Sequence, residues 1–380
     1  MKKLIKALSA LAIASMLTAA PLCLPAQAAT LTPDDSSATM QPAALAIGGR
    51  AVQRNGIWYY QWPGVYFDTE LQGDSAYLRL PAGKQHLQIR LDGQRIASLQ
   101  PPLAAQYRLA GMGPGPHRLR IELVSEQQDG ARSFGGVWLP AGSSATLPRP
   151  SPRRIEFIGD SYTVGYGNQS STRLCSAEQI WASTDNGLAT GPIVARHYQA
   201  DYRIHAISGR GIVRNYAGMA ADTLPQAYPY QLFDHNARDD GDAWQPHYLV
   251  LGLGTNDFST ALGANERWPD RAALQADFVS TYVAFIVTLR QRYPQAQLIL
   301  WASGTPDSEL RQANRAVLQQ LRQHGESRVS LLELAPLSLD SCDWHPSQAD
   351  HQLIARRLIE QIDAMPALWP TAAATEAGAR

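Results

Sequence analysis

Residues 154–168 read RIEFIGDSYTVGYGN, an apolar run at 155–158 that stops abruptly at Gly159-Asp160-Ser161. A short, largely apolar run closed by glycine and a polar turn reads as a strand buried on both faces. A serine just past such a strand can project its hydroxyl from a tight turn, or it can cap the following helix. The residues after it, Thr163-Val164-Gly165, are not those of the G-x-S-x-G elbow of α/β-hydrolases.

Working outward, four more apolar runs follow, at 202–207, 248–253, 297–301 and 329–332. Between them lie longer segments with helical spacing. Leu274, Phe278, Tyr282, Phe285 and Leu289 share one face of 272–289. Ile354, Leu358 and Ile362 repeat at helical intervals, and Ser347 with Asp350 resembles a capping box ahead of them. Strand and helix in alternation predict an α/β domain whose parallel sheet is covered on both faces. In such sheets ligands gather at the carboxyl ends of the strands.

Those ends carry polar motifs. The second run ends in Ser208-Gly209-Arg210-Gly211, where glycines let backbone N–H groups approach a ligand, or simply turn the chain. The third ends in Gly254-Thr255-Asn256-Asp257; an asparagine here can donate to a developing oxyanion or form an Asx turn. After the fifth comes Asp343-Trp344-His345-Pro346, where a histidine can accept a serine proton. Of the nine histidines, His345 alone follows a strand end beside a carboxylate. His205 and His247 fall inside strand-like runs and should be packed or hydrogen-bonded; His351, in the last helix, is expected to be solvated. The absence of H-x-x-x-H and H-x-H spacing disfavours a metal centre.

Upstream the rhythm is different. Ala76, Leu78 and Leu80, then Leu87, Ile89 and Leu91, then Leu119, Ile121 and Leu123 alternate with polar neighbours between glycine-containing turns. Period-two runs at this spacing predict an antiparallel β-sandwich at 29–150, joined through Arg149-Pro150-Ser151-Pro152 to the α/β domain at 151–370. Residues 1–28 show a basic start, an apolar run and Ala26-Gln27-Ala28, the pattern of a cleavable signal peptide. A periplasmic or secreted protein is expected, and the Ala-rich tail at 371–380 is expected to be disordered. The chain carries 33 basic and 33 acidic residues, and loss of Lys2, Lys3 and Lys6 with the leader makes it −3. That balance argues against nucleic acid or a membrane surface as partner. Export also removes any dependable ATP or NAD supply. Cys175 and Cys342 lie near Ser161 and Asp343 in the chain, and we expect them to form a disulfide that fixes the histidine loop; two free thiols are the alternative. Tyr216 and Trp301, at the ends of the second block and fourth run, could stack on a sugar ring or belong to the core.

The ordered blocks GDSYTVGYGN (159–168), SGRGIVRNY (208–216), GLGTNDF (252–258) and CDWHPS (342–347) resemble the SGNH hydrolase superfamily, and within it the family 2 carbohydrate esterases. The resemblance implies a flavodoxin-like three-layer α/β/α hydrolase domain behind an N-terminal jelly roll, acting on acetylated oligo- or polysaccharides without a cofactor. It makes Ser161 the nucleophile and His345 the base. The Ser161 N–H, a glycine N–H (Gly209, with Gly211 as the alternative) and the Asn256 side chain would form the oxyanion hole. Most of the superfamily places its aspartate three residues before the histidine, where this chain has Cys342; Asp343 would orient the ring instead, or a backbone carbonyl would do so in a Ser–His dyad. The competing readings are an SGNH enzyme for a lipid, a thioester or O-acetylated peptidoglycan, and a non-catalytic glycan-binding protein.

Overall fold

The computed structural model describes residues 29–370 apart from 38, 82, 102, 114 and 240–243. The expected leader and tail, 1–28 and 371–380, lie outside the described residues.

The alternating runs of the N-terminal half pair as expected. A five-stranded antiparallel sheet runs in the order Thr30–Pro33, Gln106–Ala110, Ser75–Arg79, Val137–Pro140, Met40–Pro42. A six-stranded one is built around Pro116–Leu123, which pairs with Tyr66–Gln72 on one side and Leu87–Leu91 on the other. The register sets Leu119, Ile121 and Leu123 opposite Leu91, Ile89 and Leu87. Each apolar side chain therefore faces the same inner core, which also holds Leu78, Phe67 and Phe134. Arg132–Phe134, Ile57–Tyr60 and Ala51–Arg54 form a smaller three-stranded antiparallel sheet.

From residue 154 the chain builds a parallel sheet of Arg154–Gly159, Asp201–Ala206, Tyr248–Gly252, Gln297–Ser303 and Val329–Leu334, first to fifth strand in chain order. Their spatial order is second, first, third, fourth, fifth, a doubly wound arrangement in which the chain reverses direction across the sheet next to the first strand. Both faces are covered. The helices Thr190–Tyr198 and Gln348–Asp363 pack against each other and bury Val194, Tyr198, Ile354 and Leu358 on one side. The helices Arg271–Arg292 and Glu309–Gln323 bury Phe278, Tyr282, Val317 and Leu321 on the other. Arg271–Arg292 is apolar and long enough to cross a membrane by length and composition, yet Leu274, Phe278, Tyr282, Phe285 and Leu289, the face read from the sequence, are buried in the protein. Asp270 caps its N-terminus through the Ala273 N–H at 2.8 Å. The expected capping box is present on the last helix, Ser347 and Asp350 bonding reciprocally.

The sandwich is riveted to the hydrolase domain by Arg50. Only 2% exposed, it pairs with Asp239 at 2.9 Å, donates to the carbonyls of Tyr228 and Tyr230, and lies against the rings of Trp62 and Tyr228. A buried guanidinium is tolerated only where its charge is compensated, here by the Asp239 carboxylate. Asp239, Tyr228 and Tyr230 belong to the other domain, so Arg50 ties the two together.

Candidate active site

The first strand delivers Ser161. Asp160 caps the short helix Ser161–Val164, its carboxylate accepting the Tyr162 N–H at 3.0 Å. Ser161 is thus the first helical residue rather than the cap, and its hydroxyl lies 2.9 Å from Nε2 of His345. Burial pushes the Asp160 carboxyl up to about 7, against the Tyr162 N–H and with the Asp257 charge adding to the shift.

His345 follows the turn Cys342–Trp344, where Asp343 and Trp344 both hold left-handed backbone, φ +51° and +57°. The chain curls beneath the imidazole and aims two carbonyls at Nδ1, Cys342 O at 3.0 Å and Asp343 O at 3.1 Å. Two acceptors there assign the proton to Nδ1 and leave the Nε2 lone pair facing Ser161. The expectation that the Asp343 carboxylate orients the ring is corrected: that carboxylate is turned outward and accepts the Tyr166 hydroxyl at 3.0 Å. The carbonyl alternative is what the fold adopts. Burial holds His345 below the usual histidine range, opposed by those two carbonyls and by the Asp343 charge. Tyr166 and Tyr162 flank the ring, with centroids 4.3 and 5.5 Å away.

The second and third strand ends meet beside the serine. Gly209 has φ +81°, which favours glycine, and its N–H has no acceptor among the described residues. The N–H of Gly211, the alternative, is engaged by Asn215 Oδ1 at 3.1 Å. Asn256 donates to the Arg210 carbonyl at 2.8 Å and to Asp160 Oδ2 at 3.2 Å. The adjoining Asp257 accepts the N–H groups of Ile212, Val213 and Arg214, fixing the Gly209 loop from below.

Cys175 and Cys342 are disulfide-bonded, tying the histidine turn to the loop after the first helix. The same loop adds Asp343 N–H to Arg173 O at 2.7 Å and Ser341 Oγ to Ser170 O at 3.0 Å. Tyr216 is 54% exposed, with its N–H on Gly209 O at 2.9 Å. Trp301 is not at the surface. It is 6% exposed and lies so close over Gly252 that a β-carbon there would fall 2.2 Å from Nε1, so it is core. Trp344, inside the DWHP block, is a further aromatic at the site, 54% exposed next to His345. His351 is also corrected: it is fully buried with Nδ1 3.0 Å from Thr190 Oγ1, and burial pushes it down to about 4.

Comparison with known proteins identifies the family. The family description Carbohydrate esterase 2 N-terminal matches residues 47–150, and the GDSL-like Lipase/Acylhydrolase family matches 157–358. An acetylxylan esterase/glucomannan deacetylase of Cellvibrio japonicus (strain Ueda107) is 38% identical over 336 residues, 87% of this chain and 93% of that protein. The chain belongs to carbohydrate esterase family 2. Among solved structures, one from a study of divergent catalytic and non-catalytic binding functions in a carbohydrate esterase active site superposes with a TM-score of 0.81 at 36% identity, covering 87% of this chain and all of that one (100%). A family 2 esterase from Clostridium thermocellum in complex with cellohexaose gives 0.73 at 26% identity, covering 84% and 98%. As a family 2 carbohydrate esterase the protein is a carboxylic ester hydrolase, with a sandwich and an SGNH domain in the family's order.

Proposed function

We propose that this esterase removes O-acetyl groups from plant-type polysaccharides of the xylan and glucomannan class through an acetyl-serine. One observation carries the reading: Ser161 Oγ stands 2.9 Å from the Nε2 of a histidine whose other nitrogen faces two carbonyls. As Ser161 attacks the acetyl carbonyl, its proton passes to Nε2 and an Oγ–carbon bond forms. The resulting oxyanion is met by the N–H groups of Ser161 and Gly209 and by Asn256, which releases its longer contact to Asp160 to do so. Each good donor contributes roughly 3–4 kcal/mol. The carbon–oxygen bond to the sugar then breaks as His345 returns the proton to the departing sugar oxygen. Water, deprotonated by the same nitrogen, cleaves the acetyl-serine and releases acetate. The exposed rings of Tyr216 and Trp344 supply apolar faces for the C–H surface of a pyranose. Residues 1–28 direct export and are removed, so the enzyme acts in the periplasm or outside the cell.

Acetate release from acetylated xylan, acetylated glucomannan and 4-nitrophenyl acetate tests this. Ser161→Ala should lose turnover on all three, and unchanged turnover sinks the assignment. N-terminal sequencing of the exported protein should read Ala29 first.

A further inference from the structure

The oxyanion loop is held from outside its own domain. The sandwich segment after Pro116–Leu123 projects Glu126 and Gln128 onto Ser208, the residue before Gly209. Glu126 Oε1 accepts the Ser208 N–H at 2.7 Å. Gln128 Nε2 donates to the Ser208 carbonyl at 3.1 Å and to Glu126 Oε1, also at 3.1 Å. The two side chains and Ser208 therefore close a hydrogen-bonded ring. One residue on, the Gly209 carbonyl accepts the Tyr216 N–H at 2.9 Å. Of the four consecutive backbone polar groups of Ser208 and Gly209, three are bound, and the Gly209 N–H alone has no acceptor among the described residues.

The planarity of the peptide bond gives this arrangement its consequence. Ser208 C=O and Gly209 N–H belong to one trans peptide unit and point in opposite directions. Gln128 fixes the carbonyl and so aims the N–H away from the sandwich; its hydrogen bond also polarises the unit, making that N–H a better donor. Gly209, with φ +81°, sits in a conformation that a free glycine leaves easily. An oxyanion donor is effective only if it is in place before the charge develops, and the Glu126–Gln128 clamp supplies that preorganisation.

We propose that Glu126 and Gln128 are positioning residues for the oxyanion hole, so that the N-terminal sandwich forms part of the catalytic apparatus. This rests on the serine-esterase reading above, with Gly209 as a donor. The test uses the full chain, 4-nitrophenyl acetate, and a boronic acid that forms a tetrahedral adduct on Ser161. For Glu126→Ala we expect kcat to fall about 10- to 100-fold, with KM within about twofold, the scale expected for a misplaced donor. Boronate affinity should fall in parallel. Gln128→Ala, at an exposed residue, should fold normally and show the same pattern to a smaller degree. Glu126→Gln keeps an oxygen for the Ser208 N–H and should recover most of the lost kcat. Unchanged kcat and boronate affinity in both alanine variants overturn the proposal. So does a loss that appears only in KM or only in the unfolding temperature. Ser161→Ala run alongside separates the two levels: an active Ser161→Ala defeats the underlying reading, whereas an inactive one beside a fully active Glu126→Ala defeats only the clamp.

Discussion

Asp343 contacts His345 through its backbone rather than its carboxylate: its carbonyl lies 3.1 Å from Nδ1, while its side chain holds the Tyr166 hydroxyl. The ring is oriented by neutral dipoles, and the negative charge beside the imidazole is partly exposed to solvent.

Removing that charge should therefore cost little. Asp343→Asn, which tolerates the left-handed backbone, should lower kcat less than about tenfold, whereas His345→Ala should approach the loss of Ser161→Ala because the two act as a unit. Steady-state kinetics on 4-nitrophenyl acetate checks both, and a loss of a thousandfold in Asp343→Asn would restore a triad.

The working form of His345 is neutral, and burial holds its proton affinity below the usual value of 6.5. On acidification the free enzyme should thus keep its base until below pH 6.5, with kcat/KM falling only beyond that point. A pH–rate profile with an acid-limb midpoint above 6.5 contradicts the burial seen around the ring.

The Cys175–Cys342 bond closes a sequence separation of 167 residues and anchors the histidine turn. Cys175→Ser should destabilise the protein by up to about 4–5 kcal/mol on loop-entropy grounds and lower kcat more than it raises KM. Denaturant unfolding and kinetics with and without reductant measure both. An unchanged kcat would mean that the Arg173 and Ser341 contacts hold the turn alone.

The three aromatics should separate. Trp301→Ala empties a core slot and should cost about 3–5 kcal/mol of stability. Tyr216→Ala and Trp344→Ala should leave stability near wild type but raise KM several-fold for acetylated polysaccharide, with little change for 4-nitrophenyl acetate. Equal effects on both substrates would remove the stacking role.

Much of this was legible in the chain because it depends on local pattern. Period-two alternation gave the sandwich core, and apolar runs closed by glycine gave the parallel strands with Ser161, Gly209, Asn256 and His345 at their ends. The misjudged residues turn on particular side-chain contacts, near or far in sequence, and on the sign of a dihedral. The Gly211 N–H is engaged by the Asn215 side chain, whereas that of Gly209 has no acceptor among the described residues. Trp301 is buried because Gly252 on the adjacent strand leaves room for an indole. His351 carried a readable signal: it lies three residues before Ile354, on the apolar stripe continued by Leu358 and Ile362.

The sequence by itself determined which chemical groups stand at the strand ends and in what order, since hydrophobic periodicity and turn residues act over a few positions. Only the tertiary structure decided which atoms face His345 Nδ1 and what pins Ser208. The first follows from two left-handed residues curling a turn beneath the imidazole. The second follows from packing a sandwich loop against a strand end more than eighty positions further along the chain, a contact that no local pattern encodes.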